Sequence, residues 1–483
     1  MLILVLIHYI LTLILGLNFI YTFQIKEYRL DRLTSMVKEM GMVRFLYTSK
    51  IRLPAFSLRN ILILLVHISL ASLLFLYSFE QKYLFSFLGI TFFLAPLTSF
   101  FIIMIGVTIT SIPSSIIRSW IRMNAINNVK KSKTVFIGIT GSYGKTSTKE
   151  FLAHILSAQF DVAKTPKNMN TDVGIALSIN QSLKSSTQFF ITELGAYRKG
   201  ELNHAASYIP FQNIILCGLG NQHLDLYGSH EALVEEETSP IFNLSNQGKA
   251  YLNSDSIRRN NIDISNVSSV TYGLSPDDDA QLTNAQASTE GTTGLIRYKD
   301  TVFHINSKLL GVHSLENLLP AVALAFDIGM DKKVIEKQIS SIKPLLGKLS
   351  KHVGQKNSTI LHDGVNTNFN GFIAAIVVMK LFTHTNKIIM TQGIIELGGE
   401  KRSSYQSILK KMNNTGISLF STDRLFTTIK SSVKINTFND VDSMQKAISQ
   451  KLDKDTLLLI EGTFAQPILD TFLDLAHIND TIK

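Results

Sequence analysis

The sequence predicts an α/β protein in which a membrane domain with three N-terminal transmembrane helices precedes two domains built on parallel sheets. Two observations predict this organisation. Long apolar runs without charge are confined to the first 112 of the 483 residues. From about residue 133, short β-rich runs alternate with helical ones, which is typical of parallel α/β sheets. We therefore divide the chain into a membrane domain (1–131) and two further domains (132–345 and 346–483), each long enough to bury its own core.

The membrane domain is predicted from three segments without a charged residue, at about 2–23, 60–79 and 83–112. Each segment meets the roughly 20 apolar residues that a membrane-spanning helix needs. A cleaved signal peptide is the alternative for the first segment. It has no positive n-region and no small-residue cleavage site, so we interpret it as a transmembrane helix.

Positive charge is concentrated before residue 134. The first 133 residues hold 14 Lys/Arg against 4 Asp/Glu, and the remaining 350 hold 33 of each, so the net charge of +10 belongs to the membrane-proximal part. A protein that binds nucleic acid would carry the excess on its soluble domains, which argues against that partner. Lys/Arg-rich loops stay cytoplasmic. This rule predicts an outside N-terminus and places the two further domains on the cytoplasmic side of the cell (inner) membrane.

The basic segment between the first two apolar runs, 24–59, contains eight Lys/Arg. Its apolar residues Leu30, Leu33, Val37 and Met40 recur at helical spacing. One interpretation of this pattern is a helix that lies on anionic lipid. A plain solvated loop is the alternative.

Eight apolar runs are predicted strands of the two soluble domains. The first domain contains "TVFIGIT" (134–140), "FFITEL" (189–194), "NIILCG" (213–218) and "AYLN" (250–253), and the second contains "STILHDG", "KIIMTQG", "GISLFST" and "DTLLLIEG". The polar run 274–295 predicts a hairpin or a loop excursion.

The single cysteine, Cys217, lies in a predicted strand, so we expect a core residue without chemistry of its own.

The first predicted strand runs directly into a glycine-rich loop and a helix. Glycines let the backbone wrap so that its N–H groups face a phosphate, and the helix adds its positive N-terminal end. Lys145 is placed to reach the outer phosphates and Thr146 to hold Mg²⁺. Ile139 stands where the longer form of this motif has its first glycine, but the strand-loop-helix context predicts nucleotide binding. The expected binding residues are Gly141, Ser142, Tyr143, Gly144, Lys145, Thr146 and Ser147.

Seven motifs occur in the order that the Mur ligase family shows. They are "GITGSYGKTS", "TPKNMNTDVGIALS", "TELGAYRKGEL", "NQHLDLYGSHE", "GVHSLENLLPAVALA", "HDGVNTNFNGFIAAI" and "GIIELGGEKRS". Residues 133–465 thus resemble this family of ATP-dependent amide-forming enzymes of peptidoglycan synthesis, and within it the branch that adds D-alanyl-D-alanine. The resemblance implies a P-loop central domain and a Rossmann-like C-terminal domain. The first 130 residues do not match, and membrane helices stand where this branch carries a domain for a UDP-sugar.

The resemblance implies an ATP-dependent acid–amino-acid ligase. A substrate carboxylate attacks the γ-phosphate of ATP, and an amine then attacks the acyl phosphate to give an amide, ADP and phosphate. This chemistry needs cations and donors fixed around the transferring phosphoryl group. The resemblance assigns that role to Lys145 and to Mg²⁺ on Thr146 and Glu193. It also implies that His223 holds a second Mg²⁺ near the acceptor carboxylate, a role favoured over a structural histidine by its place after a strand.

Further contacts to nucleotide and substrate are implied by the same resemblance. Asn317 matches an asparagine that contacts adenine, with a helix N-cap or a core polar group as the alternative. Asp363 matches the acidic residue that binds the ribose and helps close the two domains over ATP. Asn168, Asn170 and Thr171 lie in the loop that approaches the substrate carboxylate, although Asn-rich loops are often only turns.

Four positions depart from the family pattern. Lys348, which we keep as a nucleotide-binding candidate, replaces an arginine and so loses the bidentate fork. Val365 occupies the position of a tyrosine in the family, and His313-Ser314 replaces a His-Asn pair. Glu461 in "EGTF" replaces the lysine of "K-G-S-R". These changes predict either an unusual amine substrate or a weakened second half-reaction.

The stretch 221–237, "NQHLDLYGSHEALVEEE", ends in three glutamates. Counting from His223, the resemblance places on Glu237 a lysine that the family carbamylates with CO₂ to support the second Mg²⁺. At 100° per residue, Glu235 points to the opposite side of the helix and Glu236 lies between. Glu237 shares its helix face with the apolar residues Leu233, Val234, Ile241 and Leu244.

A carboxylate in an apolar stripe is costly unless it is paired or bound to a cation. A permanent carboxylate could replace the carbamate, since Mg²⁺ prefers hard oxygen ligands. We therefore expect Glu237 to be a catalytic metal ligand, and Glu235 and Glu236 to be solvated. Pro240 could kink the helix and shift this face.

Two functions from different classes follow. The first is a membrane-anchored ligase that uses ATP and Mg²⁺ to join an amino acid or short peptide to a carboxylate on a cell-wall precursor, possibly lipid-linked, with membrane lipid as a further partner. The second is a nonenzymatic nucleotide-binding scaffold or regulator of a membrane cell-wall assembly, suggested by the altered C-terminal motifs. A transporter is disfavoured because the predicted spans contain no Asp, Glu, Lys or Arg.

Overall fold

Residues 2–47, 51–80, 88–166, 169–196, 199–220, 227, 229–245, 248–365, 368–394 and 397–473 are described by the structure, a computed structural model. The chain divides into two units, residues 1–124 and 125–483.

The first unit is helical. Among the described residues, three helices are long and apolar enough to cross a membrane. They occur at the three predicted segments. The third continues beyond the predicted end at 112 as one helix of 44 residues, with Pro96 and Pro113 inside it. The helices of this part of the chain are α1 (Leu2–Ile25), α2 (Leu30–Met40), α3 (Met42–Leu46), α4 (Leu58–Glu80) and α5 (Leu88–Lys131).

The basic segment forms α2, so it is not the plain loop that was the alternative. Leu33 is buried in the core of the first unit, and Val37 and Met40 pack against that core. Leu30 is 49% exposed. Most of the apolar face of α2 therefore packs on protein, and only Leu30 of the four apolar residues remains for contact with lipid. The sequence pattern alone does not distinguish a protein surface from a lipid surface as the partner of such a face.

The second unit contains two sheets, which confirms the predicted α/β fold class. The strands of the first sheet are β1 (Val135–Thr140), β2 (Val162–Lys164), β3 (Phe189–Glu193), β4 (Phe211–Leu216), β5 (Lys249–Asn253), β6 (Ser269–Gly273), β7 (Ala280–Ala287), β8 (Thr292–Tyr298) and β9 (Thr301–Ser307). Their order is β2-β3-β1-β4-β5-β6-β7-β8-β9. The pairs from β2 to β7 are parallel, whereas β7, β8 and β9 form an antiparallel meander. The polar run 274–295 thus forms part of a hairpin.

The second sheet has the order β10-β11-β15-β12-β13-β14. Its strands are β10 (Ser350–Val353), β11 (Thr359–Asp363), β12 (Asn386–Thr391), β13 (Ile417–Ser421), β14 (Ile435–Thr437) and β15 (Thr456–Glu461). Only β10 is antiparallel to its neighbour. The last strand, β15, inserts between β11 and β12, so residues far apart in sequence meet at the carboxyl edge of this sheet.

Helices cover both sheets of the second unit. Buried apolar side chains of α6 and α12 pack with the first sheet, and separate apolar clusters lie on the two faces of the second sheet. The helices are α6 (Lys145–Leu156), α7 (Asp172–Ser182), α8 (Glu201–Tyr208), α9 (His230–Thr238), α10 (Ser254–Arg259), α11 (Val312–Glu316), α12 (Leu319–Asp327), α13 (Lys332–Ser341), α14 (Phe369–Met379), α15 (Lys401–Met412), α16 (Val441–Ser449) and α17 (Gln466–Phe472). Short 3₁₀ segments occupy Ser239–Asn243, Gln355–Asn357, Gly398–Glu400 and Arg424–Thr428.

The strand order locates the crevice where a ligand would bind. β1 lies between β3 and β4, so the chain leaves β1 toward one side of the sheet and later returns on the other. In open parallel sheets, ligands bind outside the carboxyl ends of the strands at such a switch point. Thr140 and Glu193 end β1 and β3 at this edge.

Candidate active site

The glycine-rich loop begins where β1 ends. Gly141 has φ +121° and Gly144 has φ +91°, a region that favours glycine. The backbone N–H groups of Ser142 and Tyr143 donate to Gly218 O at 2.8 and 3.1 Å. These two N–H groups are therefore engaged by the protein. The first turn of α6, which begins at Lys145, supplies N–H groups that have no partner within the helix.

The loop lines a cavity of about 80 Å³ at the carboxyl edge of the first sheet. The cavity also receives a residue from the chain just before the second sheet, Lys348. It therefore brings together candidates that lie more than 200 positions apart in the sequence. The lining residues are Ser142, Tyr143, Gly144, Lys145, Thr146, Asn170, Glu193, Gly195, Ala196, Leu233, Glu237, Lys348 and Asn368.

Glu193 faces the start of α6. The Thr146 hydroxyl donates to Glu193 Oε1 at 3.2 Å, and Asn170 Nδ2 lies 3.4 Å from the same oxygen. The other oxygen, Oε2, lies 3.1 Å from Nζ of Lys149, which is fully buried. Lys149 holds one oxygen of Glu193, so Oε1 remains beside Thr146 and the cavity.

Lys149 did not emerge from the sequence as a site residue. One sequence feature could have predicted that Lys149 is buried. It lies one helical turn after Lys145, on the face of α6 that carries the buried Leu152 and Ala153. A lysine on a buried face needs an acidic partner. The sequence does not specify which acid that partner is. Asn368, which lines the cavity and caps α14 by accepting the Gly371 N–H, was missed as well.

Lys145 donates from Nζ to the backbone oxygen of Gly141 and lines the cavity. Its ammonium therefore lies within the loop, next to the N-terminal end of α6. A cation at this place favours an anionic ligand, and the helix end adds to the effect.

Glu237 is buried, with 4% of its surface exposed, and lines the cavity. Its Oε2 accepts the Thr140 hydroxyl at 2.6 Å and the Gly141 N–H at 2.8 Å. Within the described part of the chain, these are the hydrogen bonds to its carboxylate. The second oxygen, Oε1, is available to a ligand. Leu233 and Ile241 are buried on the same side.

Glu236 corrects one expectation, because it is not solvated. It is 2% exposed and accepts the N–H groups of Gly200 and Leu202 at 2.5 and 2.8 Å. It thus caps the N-terminal end of α8, a contact between two helices that sequence spacing does not predict. Burial raises the pKa of Glu236, and the two backbone donors oppose that rise. Only Glu235 is exposed, and it pairs with Lys199 at 2.7 Å.

We expect Glu236→Ala to lower the free energy of unfolding by about 1–2 kcal/mol, because α8 loses its cap and two donors are left without a partner. The corresponding fall in Tm is about 2–4 °C. The matched control is Glu235→Ala, for which we expect a change within about 0.5 kcal/mol because its ion pair is exposed. Thermal unfolding of the two variants measures this difference. An equal loss in both would contradict the capping role.

The helix α9 ends at Thr238, and Pro240 is the second residue of the 3₁₀ segment Ser239–Asn243 that follows. Proline fits the first turn of such a segment because it has no N–H to satisfy there. Pro240 therefore does not displace Glu237 from the buried face.

The donor set of the cavity fits Mg²⁺. Thr146, Glu193 and Glu237 present hard oxygen atoms, and Mg²⁺ is usually held by one or two carboxylates together with substrate phosphates and water. Among the described residues, no group of three or more His, Cys, Asp or Glu side chains forms a complete metal site. His223, predicted to hold a second metal ion, lies outside the described residues, as does Asn168.

The remaining three candidates lie in helices or at helix ends. Asn317 follows α11, and its Oδ1 is so close to Gly144 that a Cβ there would lie 2.5 Å away. Its backbone oxygen accepts the Thr148 hydroxyl at 3.2 Å. The Thr171 side chain accepts the Gly174 N–H and caps α7. Ser147 lies in the first turn of α6.

Lys348 is the cation that the chain just before the second sheet contributes. Its Nζ donates to Val365 O at 3.1 Å. Burial lowers the pKa of Lys348, while the nearby carboxyl groups of Asp363, Glu193 and Glu461 oppose that shift. Asp363 ends β11 and lies within electrostatic reach of Lys348.

Comparison with known proteins shows that the central part of this chain is similar to Mur ligases. The sequence profile of the Mur ligase middle domain matches residues 139–325. A UDP-N-acetylmuramoyl-tripeptide–D-alanyl-D-alanine ligase of Bacillus subtilis is 24% identical over 357 residues, which cover 71% of this chain and 76% of the relative. The ligase of the same name from Escherichia coli is 26% identical over 313 residues, 63% of this chain and 67% of its own length.

Solved structures show the same fold. MurF ligase from Thermotoga maritima in complex with ADP superposes with a TM-score of 0.66 at 21% identity, covering 73% of this chain and 82% of that one. MurF from Acinetobacter baumannii gives a TM-score of 0.66 at 18% identity, covering 73% and 80%.

Proposed function

We propose that this chain, in which residues 139–325 match the Mur ligase middle domain, is a membrane-anchored Mur ligase that joins an amine to a carboxylate on a lipid-linked cell-wall precursor. As a ligase of the Mur type, it couples amide formation to ATP. The observation that carries the proposal is the cavity shared by the phosphate loop, two carboxylates and Lys348. It supplies cations and metal-binding oxygens around one point, which is what phosphoryl transfer to a carboxylate requires.

We assign the cations to the phosphates. Lys145 and the first turn of α6 would bind the outer phosphates of ATP, and Lys348 would approach the same phosphates from the second domain. Two cations from different domains would hold the γ-phosphate in line with the attacking carboxylate only when the domains are closed. Asn317 at the loop and Asp363 on β11 would contact the adenosine part of ATP.

We assign the acidic residues to Mg²⁺. Thr146, Glu193 and Glu237 would hold it, and the ion would neutralise charge that develops on the transferring phosphoryl group. Lys149 keeps Oε2 of Glu193 engaged, so this carboxylate would offer one oxygen. Asn170, beside Glu193, would donate to the acceptor carboxylate, with Asn168 and Thr171 from the same loop. His223 completes the proposed set.

The membrane part of the proposal rests on the helices of the first unit. Three helices long and apolar enough to cross a membrane precede the region that the family profile matches. The basic segments around them favour cytoplasmic catalytic domains. A lipid-linked precursor would lie in the same membrane, so anchoring would confine enzyme and substrate to one surface and raise their effective concentration.

We expect the full-length protein in detergent to release ADP and form amide with a lipid-linked precursor, and to use the UDP-linked form of the same precursor at least about tenfold less efficiently in kcat/KM. ADP release and mass spectrometry of the product measure this. Equal use of both precursors would contradict the lipid-linked acceptor. No amide and no acceptor-dependent ADP release with any amine would favour the scaffold instead.

A further inference from the structure

A half-buried arginine of the first unit, Arg59, lies at the start of α4 between the end of α1 and the middle of α5. Its guanidinium stacks on the ring of Tyr28, with Cζ 3.8 Å from the ring centroid, and its Nε donates to the Thr110 hydroxyl of α5 at 3.3 Å. The Tyr28 hydroxyl in turn donates to Asn60 Oδ1 at 2.5 Å. Contacts from two other parts of the chain therefore hold the Arg59 side chain in one orientation.

The Arg59 guanidinium keeps hydrogen-bond donors for a ligand. An arginine carries five N–H groups in one rigid plane. Within the described part of the chain, the hydrogen bond that this guanidinium makes is the one from Nε to Thr110. The N–H groups of its two terminal nitrogens remain available, because the stack on Tyr28 covers the face of the guanidinium and not its edge. A planar edge with several donors matches the oxygen atoms of a phosphate group.

A second cation, Arg118, lies within electrostatic reach of Arg59. Arg118 is an exposed residue of α5, about two helical turns beyond Thr110. Among the described residues of this unit, neither arginine forms an ion pair with a carboxylate, whereas Arg32 pairs with Glu27 at 2.9 Å. Two cations without an acid between them repel each other, and a bound anion would remove that repulsion. The pair is therefore a candidate anion site.

Both arginines come from segments that the distribution of charge assigns to the cytoplasmic side of the membrane. Arg59 ends the basic segment 24–59, and Arg118 belongs to segment 111–133, which contains five Lys/Arg and no Asp/Glu. The contacts of Arg59 with Tyr28 and Thr110 bring parts of all three candidate membrane helices to one level. Basic pockets between membrane helices on this side bind the head groups of lipids.

We propose that Arg59 and Arg118 bind the diphosphate of the lipid that carries the acceptor. The proposal rests on the ligase function proposed above, and in particular on its lipid-linked substrate. A sugar carried on a membrane lipid is joined to it through phosphate groups, which lie where the lipid chain leaves the membrane. A diphosphate in such a link carries one negative charge on each phosphate, and two arginines balance it. The phosphodiester of an ordinary phospholipid would leave one of the two arginines without a partner.

Farnesyl diphosphate tests the site without any ligation, because it joins a diphosphate to a short prenyl chain. In calorimetry with the full-length protein in detergent, we expect it to bind at least about tenfold more tightly than farnesol. Arg118→Gln is expected to weaken binding by at least about tenfold, and Arg59→Lys, which keeps the charge but loses the planar edge, by at least about threefold. The matched control Arg44→Gln removes one exposed arginine from α3 and should leave binding unchanged.

Four outcomes of this binding experiment would overturn the proposal. They are no binding of farnesyl diphosphate, equal binding of farnesol, equal weakening by Arg44→Gln, and displacement of farnesyl diphosphate by an equal concentration of phosphatidylglycerol in mixed micelles. The third would indicate diffuse attraction to a basic surface, and the last a general site for anionic phospholipid. Because Arg59 also contacts Tyr28 and Thr110, its replacement can destabilise the unit. Arg118 makes no such contact in the described part of the chain, so Arg118→Gln tests the site at an unchanged Tm.

Ligation kinetics separate this site from the ligase function itself. We expect Arg118→Gln to raise KM for the lipid-linked precursor by at least about tenfold with kcat within about twofold, and to leave KM for the UDP-linked form unchanged. The reason is that only the lipid-linked form holds its diphosphate at the membrane. An unchanged KM for the lipid-linked precursor would overturn the inference and leave the ligase function intact. Binding of farnesyl diphosphate that depends on Arg118, in a protein that forms no amide, would support the site and count against the ligase function.

Discussion

Lys145→Ala is expected to reduce kcat by about 10²–10³-fold, because a fixed cation beside the transferring phosphoryl group is lost. Lys145 lies at the first position of α6 and contacts the loop through Gly141. Its removal leaves the fold of β1 and α6 in place, because neither element depends on this side chain for packing. The loss should appear in both ADP release and amide formation, since both follow the same phosphoryl transfer.

The matched control for this variant is Lys184→Ala, which removes one exposed lysine from the same domain. We expect wild-type rates from it. ATP binding, measured by fluorescence of a nucleotide analogue, should weaken in Lys145→Ala and not in Lys184→Ala. Normal ADP release by Lys145→Ala would refute the assignment of the phosphate loop.

Glu237→Gln is expected to lose at least about 10²-fold in kcat and to need more Mg²⁺ for half-maximal rate, because the charge that would hold the ion is gone. The amide oxygen of glutamine can still accept from Thr140 and Gly141, which now bond to Glu237 Oε2. The glutamine variant thus separates two roles of this residue. Glu237→Ala removes both the charge and the acceptor.

A residue that only anchored the phosphate loop would tolerate glutamine. Near-normal activity and an unchanged Mg²⁺ requirement in Glu237→Gln would therefore contradict the metal-ligand role, and full activity of Glu237→Ala would end it. Glu235→Ala is the neighbouring control, because that glutamate is exposed and pairs with Lys199. Mg²⁺ binding by calorimetry in the presence of a nonhydrolysable ATP analogue gives a readout other than activity.

Glu237→Lys tests whether Glu237 replaces a carbamylated lysine. A lysine at this position could react with CO₂ and release a proton to form a carbamate, whose terminal oxygens resemble a carboxylate. We expect this variant to be inactive without bicarbonate and to regain activity when bicarbonate is added, whereas the wild-type protein should not respond. Activity of Glu237→Lys that is independent of bicarbonate would argue against this explanation.

Local chemistry was predictable wherever a motif occupies adjacent residues. The phosphate loop follows from consecutive glycines between a strand and a helix, and the apolar spans from uninterrupted composition. Helical periodicity alone indicated that Glu237 would be buried beside Leu233 and Ile241. Periodicity failed for Glu236 because its partners, the N–H groups of Gly200 and Leu202, come from another helix. It failed for Leu33 in α2 because the pattern does not reveal whether protein or lipid covers the face.

By itself, the sequence determined the apolar spans, the phosphate loop and eight of the fifteen strands of the two sheets, because those depend on neighbouring residues and on hydrophobic periodicity. Only the tertiary structure decided which distant side chains share a site. Strand order brings about the ion pair of Lys149 with Glu193, the approach of Lys348 to the phosphate loop and the pairing of Asp363 with Glu461 in register on β11 and β15. β15 pairs with β11 although the chain forms three other strands between them. Such neighbours arise from packing over long sequence separations, which local patterns do not encode.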